Sequence, residues 1–495
     1  GNTATVRDAN ALTLGVLELT NLTATSTGAL SLGRGLVRDA LSATSAGGAI
    51  TQSGALTVSG TARIDAAGAI TLDNAGNNFA GTLHLDGAAV RVSDAYALRL
   101  GTTVADSLTV SSGGALTLGT TQVGGTLAAT SAGGGITQAG ALSVGGASTV
   151  NAGAGAITLD NAGNDFAGTL RLVAADARVH DSNVLQLTSV DVRSLHASSG
   201  GRMVLGGRVG GQLIATSATG GIGQDAVAPS GALTVQGPAS LDAGAGAITL
   251  GNVNNDFSGP VDLAGGAVNI RDTNTLGLGQ LDVASLDVHS RDALSLGQGT
   301  IRGALAARNA GGGITQTGAL RVEGVANVNA GYGVGAGAIT LDHVDNDFRG
   351  AVTLVGGAAR VRDTDGLRLQ QFSVTSLDAT SGGALSPGGG DVRGDFTATS
   401  TAGGITQQGA ITVNGTSSID AGTGNILLTD AGNRFTGTVN LWGGAVAIAG
   451  GAALDLGAVD ATSLLAAATR IGLVGDVTTS GGQTYDGALV LREDV

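Results

Sequence analysis

One stretch recurs five times in this chain and limits what it can fold into. It reads AITLDNAGNNFAG from Ala69, AITLDNAGNDFAG from Ala156 and AITLGNVNNDFSG from Ala247. The remaining copies are AITLDHVDNDFRG from Ala338 and NILLTDAGNRFTG from Asn425. A short apolar run leads into Asn, Asp and Gly, then one Phe, then Gly, the pattern of strand, turn and strand. Recurrence every 87 to 91 residues identifies a repeat array, so the period has to be read before any domain is drawn.

A second anchor, the Ile of GAITQ or GGITQ, falls at Ile50, Ile136, Ile222, Ile314 and Ile405; the third copy reads GGIGQ. The first anchor falls at Ile70, Ile157, Ile248, Ile339 and Ile426. From first anchor to the next second anchor the spacing is 66, 65, 66 and 66; from second to first it is 20, 21, 26, 25 and 21. The nearly constant arm divides into three turns of about 22 residues, and the variable arm is one turn of 20 or 21. Each super-repeat is therefore expected to hold four solenoid turns. The two long arms carry inserted loops, Gln224 to Gly231 and Gly331 to Gly337.

Between anchors the chain alternates apolar and polar residues in runs of three to five, such as LTLG, LHL and VRV, ended by Gly, Asn, Asp or Ser. That is strand patterning, and no long window has helical periodicity. TSLLAAA, Thr462 to Ala468, is the most helix-like segment and is still read as strand, because the repeat frame runs through it. Leu72 and Ile157 are read as interior, His84 and Arg171 as exterior. Gly is 88 of 495 residues and aromatics are 2%, which suits thin stacked layers better than a wide core or propeller blades. The fold class expected is an all-β parallel β-helix with about 22 residues per turn. Residues 1–495 are expected to form one continuous β-helix fragment, with super-repeats from near 70, 157, 248, 339 and 426, a partial repeat over 1–69 and both ends cut within the array. About 23 turns would make a rod of roughly 105 to 110 Å. Its open edges would favour end-to-end self-association.

Net charge is −14, and all 24 basic residues are scattered Arg. Nucleic acid and anionic membrane surfaces both require clustered cations, so neither is an expected partner. The chain has no Cys, which removes disulfides and thiolate-held metals. No apolar run reaches the length of a membrane-spanning helix.

The segments ITLDNAGNDFAGTL and VHDSNVLQL, with the copies VRDANALTL, VSDAYALRL, IRDTNTLGL and VRDTDGLRL, resemble the repeat region of filamentous-haemagglutinin-like exoproteins. GGQTYDGALVL, Gly481 to Leu491, resembles a motif of large bacterial adhesins. The resemblance covers essentially the whole chain. It implies a right-handed parallel β-helix and export from a Gram-negative cell, commonly through a partner outer-membrane β-barrel. The function expected is the shaft of a secreted or surface-attached adhesin, with a host-cell or surface ligand as possible partner. A matrix, S-layer-like or filament protein is the second reading; a β-helical polysaccharide lyase or hydrolase is the third.

Five Asp recur at one repeat position: Asp8, Asp94, Asp181, Asp272 and Asp363. They are read as turn-closing side chains, because Ca²⁺ needs six to eight gathered oxygens and no dense Asp cluster is present. Phe79, Phe166, Phe257, Phe348 and Phe435 are read as local core plugs. His84, His180, His196, His289 and His343 have no metal-ligand spacing and no nucleophile beside them. No catalytic, cofactor or metal site is assigned. Any partner is expected at the two loops, where Asp225 and Tyr332 are the notable side chains.

Overall fold

The computed structural model describes residues 2–224, 231–331 and 335–491. The chain forms two compact units, Gly1–Asn252 and Val253–Val495. Within the described residues both consist of strands and turns with no helix, and their strand pairings are parallel.

One turn shows how the sequence produces the coil. Ile50–Thr51, Leu56–Val58 and Ala62–Ala66 form three sides, and Ile70–Leu72 then returns to the first. Ile70 pairs with Ile50, Phe79 with Val58, and Leu83 with Ala62. Alternate residues point inward, so Ile50, Leu56, Val58, Ile64, Ile70 and Leu72 are each 0% exposed. Each Leu, Ile or Val taken out of water contributes roughly 1.5–3 kcal/mol, and the period-two pattern buries one at every second position. Ile157 is also buried, Arg171 is exposed and His84 is half-buried. Thr462 to Ala468 lies in the strand Ala453–Leu473.

The two anchors that bound each variable arm stack directly on one another. Ile136 pairs with Ile157 and Ile222 with Ile248; in the second unit Ile314 pairs with Ile339 and Ile405 with Ile426. The variable arm is thus one turn, as its length implies.

The constant arm differs from expectation. In the first unit the column above Ile70 runs through Val90, Leu108, Leu127, Ser148 and Leu170. Ile157 is not in it. Ile157 belongs to the column of Leu98, Leu116, Ile136 and Ala177, one side further round the coil. The second unit repeats the offset. Ile339 stacks with Leu294, Ile314, Ala359 and Leu377, while Ile426 stacks with Leu367, Leu385 and Ile405. A super-repeat is therefore four turns plus one side of a three-sided coil, not four turns of 22.

The cause is local. Thr82–Asp94 and Leu98–Ser112 continue round the corners as unbroken strands. Val90 pairs with Leu108 and Leu108 with Leu127, so these turns take only 18 and 19 residues. The shorter turns let the constant arm hold three turns and one extra side.

Candidate functional site

The most regular polar residues of the sequence meet inside the coil. In AITLDNAGNNF, the Asn74 carboxamide oxygen accepts the Gly76 N–H (2.9 Å) and the Asn77 N–H reaches Asn74 O (3.1 Å), a tight Asx-type turn. The turn drives Asn77 inward, where it is 0% exposed. Asn77 and Gln52 of the ITQ element exchange two amide hydrogen bonds, 2.7 and 2.9 Å. Asn77 Oδ1 also accepts the Leu56 N–H and Nδ2 donates to Leu72 O, both at 2.9 Å. Gln138–Asn164, Gln316–Asn346 and Gln407–Asn433 repeat the exchange. A side-chain amide pair so buried is held in one geometry, since losing either partner would strand several donors and acceptors. Both anchors are visible in the sequence, but their pairing is not. Its visible signal was the joint recurrence of ITQ and the NNF or NDF Asn either side of the one-turn arm.

A second polar column starts at the recurring Asp. Asp94 Oδ2 accepts the Phe79 N–H (2.6 Å) and Oδ1 the Tyr96 N–H (2.8 Å). Asp181 caps Phe166 and Asn183, Asp272 caps Phe257 and Asn274, and Asp363 caps Phe348 and Asp365. Asp8 accepts the Asn10 N–H at 2.7 Å. The turn-closing role expected of these residues is present, with the cap on Phe as an addition. The Phe residues are buried plugs, from 0% exposed at Phe166 to 4% at Phe435.

Serines continue the column. Asp94 pairs with Ser112 and Ser112 with Ser131; Asp363 pairs with Ser381 and Ser381 with Ser400. Ser112 and Ser131 both donate to Gly114 O at 2.7 Å. Burial pushes the carboxyls of Asp181, Asp272 and Asp363 up, against the pull of the N–H caps, and Asp272 is pushed up to about 6. These carboxylates face their own backbone, which leaves them no geometry for an external reactant.

The outer surface carries shallow grooves. In the first unit Thr158, Arg178, His196 and Ile214 stand in register on successive turns beside Asp176 and Ser194, lining about 300 Å³. The second unit has the equivalent ladder Thr340, Arg360, Asp378 and Thr397, lining about 410 Å³. Arg193 and Ser194 both donate to Asp176 and hold its carboxyl below the usual range. Partial burial and the neighbouring Arg178 push His196 down. An Asp so stabilised is a poor base for Ser194, and the grooves offer exposed charge rather than an activated nucleophile.

The histidines are dispersed. His84 accepts the Thr102 N–H (3.1 Å), His180 contacts Ser198 Oγ (2.8 Å), and His343 accepts the Asp345 N–H (3.2 Å). His289 is pushed down by burial and by Arg271. Among the described residues no three His, Asp or Glu converge as a metal-holding group, and no helix is long and apolar enough to cross a membrane. At the base of the first expected loop, Gln224 donates to Gly231 O at 3.0 Å. Residues 225–230 and 332–334, with Asp225 and Tyr332, lie outside the described residues.

Comparison with known proteins follows the same period. A family model described as repeats of unknown function (DUF5649) matches residues 20–86, 105–173, 192–264, 283–355 and 384–441, more than half of the chain. No curated protein and no solved structure matches.

Proposed function

The chain belongs to this family of repeats of unknown function, and from that premise we propose that it is a structural spacer. It forms the shaft of a secreted or surface-attached bacterial adhesin and holds a binding element away from the cell. Export runs through an outer-membrane transporter, and the shaft itself catalyses nothing. One observation carries the reading. The polar residues that recur most strictly, the Gln–Asn pair and the Asp–Ser column, bond to neighbouring turns of the same coil, with the Asn and Asp buried. Such a repeat conserves a coil, whereas a catalytic repeat would keep its polar groups facing outward. The resemblance to filamentous-haemagglutinin-like repeats supplies the extracellular setting.

The test is to locate the protein in the cells that make it, by antibody labelling of intact cells and by shaving them with protease. The proposal expects labelling of intact cells or recovery from the medium. A chain confined to the cytosol would overturn it.

A further inference from the structure

The last super-repeat breaks the Asp rule at one point and opens a pocket there. In four super-repeats the residue fifteen after the core Phe is an Asp, and its carboxylate caps the Phe N–H: Phe79 with Asp94, Phe166 with Asp181, Phe257 with Asp272, Phe348 with Asp363. Fifteen residues after Phe435 stands Gly450. No side chain caps the Phe435 N–H among the described residues. The column beyond has lost its serine as well, since the Ala449–Ala467 pair sets Gly450 against Ala468 where Asp363 pairs with Ser381. The register then shifts between Ala467 and Arg470.

The charge beside the pocket is also reversed. The residue before the core Phe is Asn78, Asp165, Asp256 and Asp347 in the earlier super-repeats, but Arg434 in the last. Asp347 pairs with Arg349 at 2.9 Å, whereas Arg434 makes no ion pair among the described residues. Arg434, Phe435, Gly450, Gly451, Asp455 and Arg470 line a pocket of about 480 Å³. Arg470 is held by Asp455 at 3.0 Å, so among the described residues that line the pocket Arg434 is the cation without an ion pair.

We propose that this pocket binds a hydroxycarboxylate. The ligand carboxylate takes the place that Asp363 fills one super-repeat earlier, accepting the Phe435 N–H and pairing with Arg434. A ligand hydroxyl donates to the Asp455 carboxylate. The volume exceeds what a bare carboxylate needs and admits a single sugar-sized acid. A charge-assisted contact of this kind is the strong type, and its removal shows directly in affinity. The chemistry fits either a free aliphatic hydroxy acid or the uronate unit of a saccharide.

Calorimetric titration of the full chain with galacturonate, lactate and galactose tests it. At least one acid should bind while galactose does not. Preference for galacturonate assigns a saccharide source, and preference for lactate a free acid. Arg434→Asp should weaken the acid by about tenfold or more. That variant restores the residue found at Asp165, Asp256 and Asp347, and circular dichroism checks that it is folded. A second variant, Arg434→Gln, removes the charge without reversing it. Gly450→Asp is avoided, because a Cβ there would come 2.7 Å from Leu454 Cβ. Neither acid binding above galactose, or undiminished binding by both folded Arg434 variants, would overturn the proposal.

Discussion

At the scale of a residue, Asp272 shows two opposed forces on one carboxyl. Two N–H donors favour its charge, while burial and the nearby Asp256 and Asp292 oppose it, and the balance lies near pH 6. A pKa raised in the folded state means that the native protein binds the proton more tightly than the unfolded chain. The stability this group contributes is therefore fully present below about pH 4 and is lost as pH rises through 6. Thermal unfolding of the wild type and of Asp272→Asn between pH 4 and 7 measures it. The wild-type midpoint should lose ground to the variant as pH rises across this window, and parallel curves would show that the carboxyl does not titrate there. Turn chemistry made the role of this Asp legible in sequence. Its cap on Phe257 was not legible, because the partner is on the preceding turn and its distance depends on the coil.

At the scale of the element, the strands and the one-turn arm follow from period-two patterning and from the two Ile anchors. The length of the remaining turns does not. Dividing the constant arm by three assumes that it holds a whole number of turns. Long strands such as Leu185–Ser199 instead run on round the corners with no break in the strand to count. The Gln138–Asn164 pair was hidden for a related reason: amide pairing depends on which turns stack, and the stacking follows from those unbroken corners. Because the chain has no Cys, engineered pairs can read the register cleanly. Thr158 and Arg178 are direct partners, and neighbouring parallel strands lie about 4.8 Å apart, within disulfide reach. Thr158→Cys with Arg178→Cys should cross-link on mild oxidation. Thr158→Cys with His180→Cys, set for a 22-residue turn, should not. The reverse outcome would restore the longer turn.

At the scale of the whole molecule, the chain is built of super-repeats that each bring their own core, the first four with the Asp cap on the core Phe. Stability in such an array is close to a sum of local and nearest-neighbour terms, so one unit can be removed without dismantling the rest. The cut has to respect the period. Deleting residues 70–156 joins Ala69 to Ile157, and Ile157 then stacks on Ile50 as Ile70 does in the intact chain. A fold in which residues 70–156 were not equivalent to the super-repeat that follows them would not accept this change. The decisive measurement is the thermal unfolding and far-ultraviolet circular dichroism of the chain lacking residues 70–156. The expected result is an unchanged β signal per residue with a midpoint within a few degrees of the full chain. A variant that is unfolded, or that has lost β signal well beyond the deleted residues, would contradict the account.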